Sequence, residues 1–296
     1  MRINDNVYIK ESLKLSLYKE DRSWTLLERE KHKDPTLLER LKENRLIKKY
    51  GWLVLSFLIA MLVWYLLSIN PRTSRSFPNV TLVLDSVSTM IGRGVFFKDI
   101  ASSLTSVFLG FLFGFVLSLP VAILMAWYTP VRNIIEPWIQ FIRNIPPLAY
   151  VPLVVISAGV GRTPQVIVIT IATFLTMTIT IYQGVLNLDP TLVKAARILG
   201  ANDRDIFLRV IAPATLPFIM TAIRLGSSVA LTTLIAAEST GASAGLGMRI
   251  RALNNSFESP PMLLYIIVIG IIGLIVEKGV KILEGRLTAW QEKRED

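Results

Sequence analysis

The sequence predicts an all-α polytopic membrane protein with six transmembrane helices and both termini cytoplasmic. Three observations carry this. The chain is 52% hydrophobic and only 18% charged, against roughly 25% charged residues in soluble domains. Several uncharged or nearly uncharged runs reach or approach the ~20 residues needed to cross a ~30 Å hydrocarbon core. The formal net charge of +10 comes from Lys and Arg clustered beside those runs, where the inner-leaflet potential attracts them. Such a charge is a topology signal, and no nucleic-acid recognition motif accompanies it.

Residues 1–50 read as a basic, amphipathic cytoplasmic arm. Asp34-Pro35-Thr36 followed by Glu39 resembles a helix start, with proline in the first turn and a capping box. Leu37, Leu38, Leu41 and Leu46 then recur at helical spacing among basic residues, which suits a helix lying on the inner membrane face. A solvated helical tail competes with that reading, and Trp24, Leu26 and Leu27 upstream do not decide it. The polar start does not resemble a cleaved signal peptide. Residues 51–100 comprise the first span, Gly51–Ile69, and an outer segment. There Val80, Val83, Leu84, Val87, Met90 and Ile91 predict a short amphipathic helix. Arg72, Arg75, Arg93 and Lys98 on that side depart from the positive-inside rule.

Residues 101–282 hold five further spans. In span two, about Ala101–Tyr128, Gly110 and Gly114 form a small-xxx-small pair that admits a close neighbour, and Pro120 predicts a kink. Span three, about Asn133–Ala158, contains Glu136 and Arg143, seven apart and so on one helical face. Asn144-Ile145-Pro146-Pro147 must then break or bend it, because neither proline donates a backbone hydrogen bond. Irregular backbone at membrane depth survives only beside protein or a water-filled cavity. Arg143 and Asn144 are therefore pathway candidates, with structural pairing of Arg143 to Glu136 an equal alternative. Span four, Gln165–Val185, carries Thr173, Thr176 and Thr180 on one stripe, which lines an aqueous path or bonds to neighbouring helices. Span five, about Leu216–Glu238, contains Arg224 and ends in Glu238. These two charges lie ~21 Å apart along a straight helix, so Glu238 needs another partner and is a further cavity candidate. Span six, about Leu263–Val276, continues into a cytoplasmic tail, residues 283–296.

Between spans four and five lies the polar stretch Asp189–Pro217, two helix-like halves broken at Gly200. A structured, charged loop between two spans reads as a surface for a partner. Elsewhere the chain excludes chemistry. It has no cysteine and one histidine, His32, so thiolate and clustered metal sites are absent. No GxxxxGK[ST] phosphate loop occurs, nor HExxH, nor GxSxG. An ion-coupled carrier remains open, although no inverted repeat with paired broken helices is visible.

The polar stretch resembles the cytoplasmic loop of bacterial ABC importer permeases, whose pattern is EAA, three residues, Gly, nine residues, I-x-L-P. Lys194-Ala195-Ala196, Gly200 and Val210-Ile211-Ala212-Pro213 fall in that register within the loop 189–213. Ala195 and Ala196 let a partner approach, Gly200 permits the turn, and Pro213 is expected to stop the second helix before the membrane. Lys194 stands where the family usually has Glu, and Ala212 where it usually has Leu. Phe77-Pro78, Ile145-Pro146-Pro147, Gly159-Val160-Gly161 and the run from Ala237-Glu238 to Gly245-Leu246-Gly247 resemble the nitrate/sulfonate/taurine/bicarbonate branch, which also holds permeases for thiamine-precursor pyrimidines and riboflavin. The resemblance implies an importer-type permease that is not itself an enzyme. It implies a homodimer with two cytoplasmic ATPase subunits, which would use ATP and Mg, and an external substrate-binding protein. No cofactor is implied in this chain. On that resemblance Lys194, Ala195, Ala196, Gly200, Ala201, Arg204 and Pro213 would couple to the ATPase.

Overall fold

The computed structural model describes residues 35–288, with side chains described from Tyr50 onward. Trp24, Leu26, Leu27, His32, the leucines of the arm and most of the C-terminal tail lie outside this description. Among the described residues every regular element is a helix. The chain divides between Leu67 and Ser68 into two units. The first holds most of α1, Pro35–Ile69. This helix begins at the proline that the capping pattern marks. It runs without a break from the arm into the apolar stretch Tyr50–Ile69, because Gly51 alone weakens a helix without ending it.

The second unit begins with α2, Val80–Gly92. Asn79 caps it by accepting a hydrogen bond from the Thr81 N–H, and Val83, Ser86 and Met90 form its buried face. Helix α3, Phe96–Trp127, continues through Pro120. Helices α4, Thr129–Arg143, and α5, Pro147–Ala158, meet at an angle of 101°. Pro146 stands before Pro147, which forces its backbone out of the helical region, and it is extended at φ −55°, ψ 133°. The remaining elements are α6, Arg162–Leu186; α7, Pro190–Ile198; α8, Asp203–Glu238; α9, Leu246–Asn255; and α10, Ser259–Leu287. Among the described residues five helices are long and apolar enough to cross a membrane, and the bent pair α4–α5 passes the same test when taken together.

Pro213 does not end the second loop helix. Residues Ile206–Ile211 wind as a π-helix, and the Ala212 N–H bonds back to Phe207 O. The missing N–H of Pro213 therefore falls in the first turn after the π-stretch, where a proline breaks no bond that the helix needs. Loop and span become one helix.

Helix α6 lies at the centre, with α3 on one side and α8 on the other. Each seam closes where a side chain is missing. A Cβ at Gly110 would lie 2.6 Å from Ile169 Cβ, and one at Gly114 would lie 2.0 Å from Thr173 Oγ1. On the opposite side Gly184 of α6 faces Phe218, and Gly226 of α8 faces Met177. Ala122, Met125, Ile139, Leu175, Ile181 and Tyr182 complete a buried apolar core around it.

Because Ile169 Cβ cannot swing away, Gly110→Val should overpack the α3–α6 seam by about 1–3 kcal/mol. We expect a lowered thermal unfolding midpoint in detergent. Gly279→Val, where a Cβ meets open space, should leave the midpoint near that of the parent chain.

Candidate functional site

The polar loop forms two helices joined by a tight turn. Asp189 caps α7 by accepting the Thr191 N–H at 2.8 Å. Hydrogen bonds from Thr191, with a smaller contribution from Lys194, hold its carboxyl below the ordinary range. Pro190 follows in the first turn, where its fixed φ suits the helix. At the other end Gly200 adopts φ +82°. Its N–H bonds to Arg197 O, and the Ala201 N–H to Ala196 O, both at 3.0 Å. This reciprocal pair is a Schellman cap, which favours glycine at the left-handed position. Asn202 then caps α8 by accepting the Asp205 N–H at 2.9 Å. Arg197 reaches Asp203 across the turn at 3.5 Å.

No residue of α7 is buried. Lys194, Ala195, Gly200, Arg204 and Pro213 are exposed, while Ala196 and Ala201 are half-buried. Ile198 and Leu199 at the tip are 85% and 86% exposed. Two large aliphatic side chains standing free on a rigid turn make an apolar knob flanked by charges. The base of the loop is anchored, with Ile206 buried and Phe207 edge-on to Trp127 at a centroid distance of 5.7 Å.

A cavity of about 240 Å³ opens beside the α4–α5 break, lined by Arg143, Tyr150, Thr176, Thr232, Thr233 and apolar side chains. Arg143 and Thr176, two of the candidates named from the sequence, line it. The others of that group lie elsewhere. Asn144 is exposed in the break but does not line the cavity. Thr173 is fully buried, donating to Ile169 O at 2.7 Å and lying 3.4 Å from Gly110 O. Thr180 donates to Thr176 O at 2.8 Å. The threonine stripe thus divides, with Thr173 serving the α3 seam and Thr176 the cavity. Arg143 does not pair with Glu136, whose carboxylate accepts from Gln140 at 3.1 Å and from the Tyr182 hydroxyl at 3.3 Å. Sequence reading missed Tyr150, one turn past the break, and the adjacent hydroxyls Thr232-Thr233 in the uncharged middle of span five.

Glu238 is not a cavity residue. It is fully buried at the end of α8 away from the polar loop, accepting from Ser103 Oγ and the Gly247 N–H, both at 2.7 Å. Ser103 Oγ in turn accepts the Leu246 N–H at 2.8 Å. Beside it Asp99, also fully buried, accepts from Arg249 Nε at 2.7 Å, the Tyr265 hydroxyl at 3.1 Å and the Gly245 N–H at 3.1 Å. The bond to Asp99 raises the Arg249 pKa further. Two carboxylates thereby fasten α3, α8, α9 and α10 at one end. Arg224, too far along α8 to meet Glu238, pairs instead with Glu284 of α10.

Removing the hydroxyl of Ser103 leaves a buried carboxylate oxygen and the Leu246 N–H each short of a partner. Ser103→Ala should cost about 1–3 kcal/mol, read as a lowered unfolding midpoint. Ser102→Ala loses one part-buried bond to Ala244 O and should cost about 1 kcal/mol.

The profile of the family described as "binding-protein-dependent transport system inner membrane component" matches residues 114–289. A probable ABC transporter permease protein of Brucella abortus (strain 2308) is 40% identical over 250 residues, covering 84% of this chain and 99% of that one. The taurine transport system permease protein of Escherichia coli (strain K12) is 33% identical over 238 residues, covering 78% and 86%. Among solved structures, the MetNI methionine ABC transporter in an inward-facing conformation has the same fold. Its TM-score is 0.59 at 18% identity, over 64% of this chain and 95% of that chain.

Proposed function

The chain belongs to the family of binding-protein-dependent transport inner-membrane components, and from that premise we propose how it works. It is an ABC importer permease of the nitrate/sulfonate/taurine branch, a multi-pass membrane protein and not itself an enzyme. In the proposed assembly two copies form a homodimer in the bacterial cell membrane. Each copy crosses six times with both termini cytoplasmic. Two cytoplasmic ATPase subunits supply the energy with ATP and Mg, and an external binding protein delivers a small anion.

One observation carries this reading. The loop from Asp189 to Pro213 leaves no residue of α7 buried and holds the Ile198–Leu199 knob out in solvent, in a chain with no phosphate loop of its own. Apolar side chains of that size on a preformed turn fit a cleft in a partner. Lys194, Ala195, Ala196, Gly200, Ala201, Arg204 and Pro213 lie on this loop or just beyond its turn. Closure of the ATPase subunits around ATP would pull on it. The pull would travel along α8, which is continuous from Asp203 to Glu238 and carries Thr232 and Thr233 at the cavity. Alternating access would then be a tilt of α8 that opens the cavity first to one side and then to the other. Arg143 and Thr176 belong to that path, and Thr173, Thr180 and Glu238 to the packing that bears the tilt.

Ala196→Trp and Gly200→Leu test the reading in the reconstituted complex. A Cβ at Gly200 meets open space within the chain, so the fold loses only the left-handed backbone penalty, about 1–2 kcal/mol. Binding-protein-stimulated ATP turnover should fall roughly tenfold or more, as for loss of an interface hot spot. A carrier driven by an ion gradient would instead transport in liposomes without ATP and ignore both substitutions.

A further inference from the structure

We propose that Arg143, Tyr150 and Thr233 form a transit site for a small oxyanion in the cavity beside the α4–α5 break. The proposal rests on the permease reading and names the residues that meet the cargo inside the membrane.

Five side chains with polar hydrogens line the cavity: Arg143, Tyr150, Thr176, Thr232 and Thr233. Two of them spend their protons on their own helices. Thr176 donates to Ala172 O at 3.0 Å, and Thr232 donates to Val229 O at 3.0 Å. The other three make no hydrogen bond or ion pair among the described residues. Thr233 is only 3% exposed, Tyr150 is half-buried and Arg143 is exposed at the break. Both hydroxyls line the cavity with a donor hydrogen still free for a ligand or water. A guanidinium within a span calls for a counter-charge.

No Asp or Glu lines this cavity. The nearest acidic residue on α4 is Glu136, two turns back, and it is engaged by Gln140 and Tyr182. The site therefore offers one full positive charge and two neutral O–H donors, with no carboxylate to neutralise or compete. A sulfonate, carboxylate or nitrate group presents several acceptor oxygens and one negative charge. The planar guanidinium can bond two such oxygens at once, leaving the remaining acceptor capacity to Tyr150 and Thr233. A neutral heterocycle would leave the charge of Arg143 unmatched. A cation would be repelled.

The three donors come from three different helices. Arg143 ends α4, Tyr150 lies in the first turn of α5, and Thr233 faces them from α8. Tilting α8 against the bent pair would separate Thr233 from the other two and weaken the hold. Release of cargo requires that kind of weakening, since a passage site must bind well enough to admit and loosely enough to let go.

The test uses the permease reconstituted in proteoliposomes with its ATPase and binding protein. The probes are radiolabelled taurine, nitrate and bicarbonate, with a neutral formylaminopyrimidine for contrast. Arg143→Gln, Tyr150→Phe and Thr233→Val keep the shape and remove one donor or charge each, and Arg143→Lys restores charge without the planar fork. The proposal expects ATP-dependent uptake of at least one anion by the parent complex. Uptake should fall about tenfold or more in Arg143→Gln, less in Tyr150→Phe and Thr233→Val, and recover in part in Arg143→Lys. Stimulated ATP turnover should stay within about twofold throughout, so that fewer anions move per ATP. Parent-like anion uptake in all variants would overturn the site and leave the permease reading intact. Loss of ATP turnover in step with uptake would also overturn it, by assigning these residues to the fold. Uptake of the pyrimidine alone would overturn the anion class, and no ATP turnover with the partner subunits would overturn the permease reading itself.

Discussion

Helix α6 can lie between α3 and α8 only because side chains are missing on both seams. Gly110 and Gly114 bring the α3 backbone against Ile169 and Thr173, and Gly184 and Gly226 admit Phe218 and Met177 on the far side. In lipid, helices gain nothing from hiding apolar surface from water, so close packing and interhelical hydrogen bonds must hold them. Everything of functional interest hangs from these seams. The cavity exists because α6 and α8 are fixed while the bent pair α4–α5 turns away from them by 101°.

Charge is treated differently at the two ends of α8. Away from the loop, Asp99 and Glu238 are fully buried and every hydrogen bond they accept comes from a helix other than their own or from the turn before α9. Breaking one partner of such a group is costly, which makes this end a fixed pivot. At the loop end, Arg197–Asp203 and Arg209–Asp205 are exposed pairs, the sort that contribute little to stability. The rod between them is about 50 Å long at helical rise. A lever held firmly at one end and lightly at the other is suited to move at the light end.

What could be read from the sequence was local. The broken span, the Gly200 turn and the α1 start at Pro35 each follow from residues within a few positions of one another, whereas α2 buries Val83, Ser86 and Met90 and leaves Leu84 and Ile91 exposed. Proline, glycine and capping side chains act through their own backbone. What could not be read was which faces would meet. The sequence contains both the Gly110–Gly114 pair and the Thr173–Thr176–Thr180 stripe, but nothing local says that Thr173 belongs to the first and Thr176 to the cavity. Glu238 plainly needed a partner, and it finds Ser103, 135 residues away. Pro213 misled for another reason. A proline rule written for α-helices does not foresee a π-turn that absorbs the missing donor.

That π-turn gives the loop a meaning in terms of counting. Each residue of an α-helix turns the chain by about 100°, and a π-stretch is the winding that takes up an extra residue. Were the same residues between Gly200 and Pro213 wound as plain α-helix, the extra residue would swing the knob by about 100° relative to the span. The aim of the Ile198–Leu199 knob is thus set by the number of residues in the segment more than by their identities. A lysine at position 194 and an alanine at 212 alter the surface presented to a partner and leave its bearing untouched. An insertion or deletion there would turn the key in the lock.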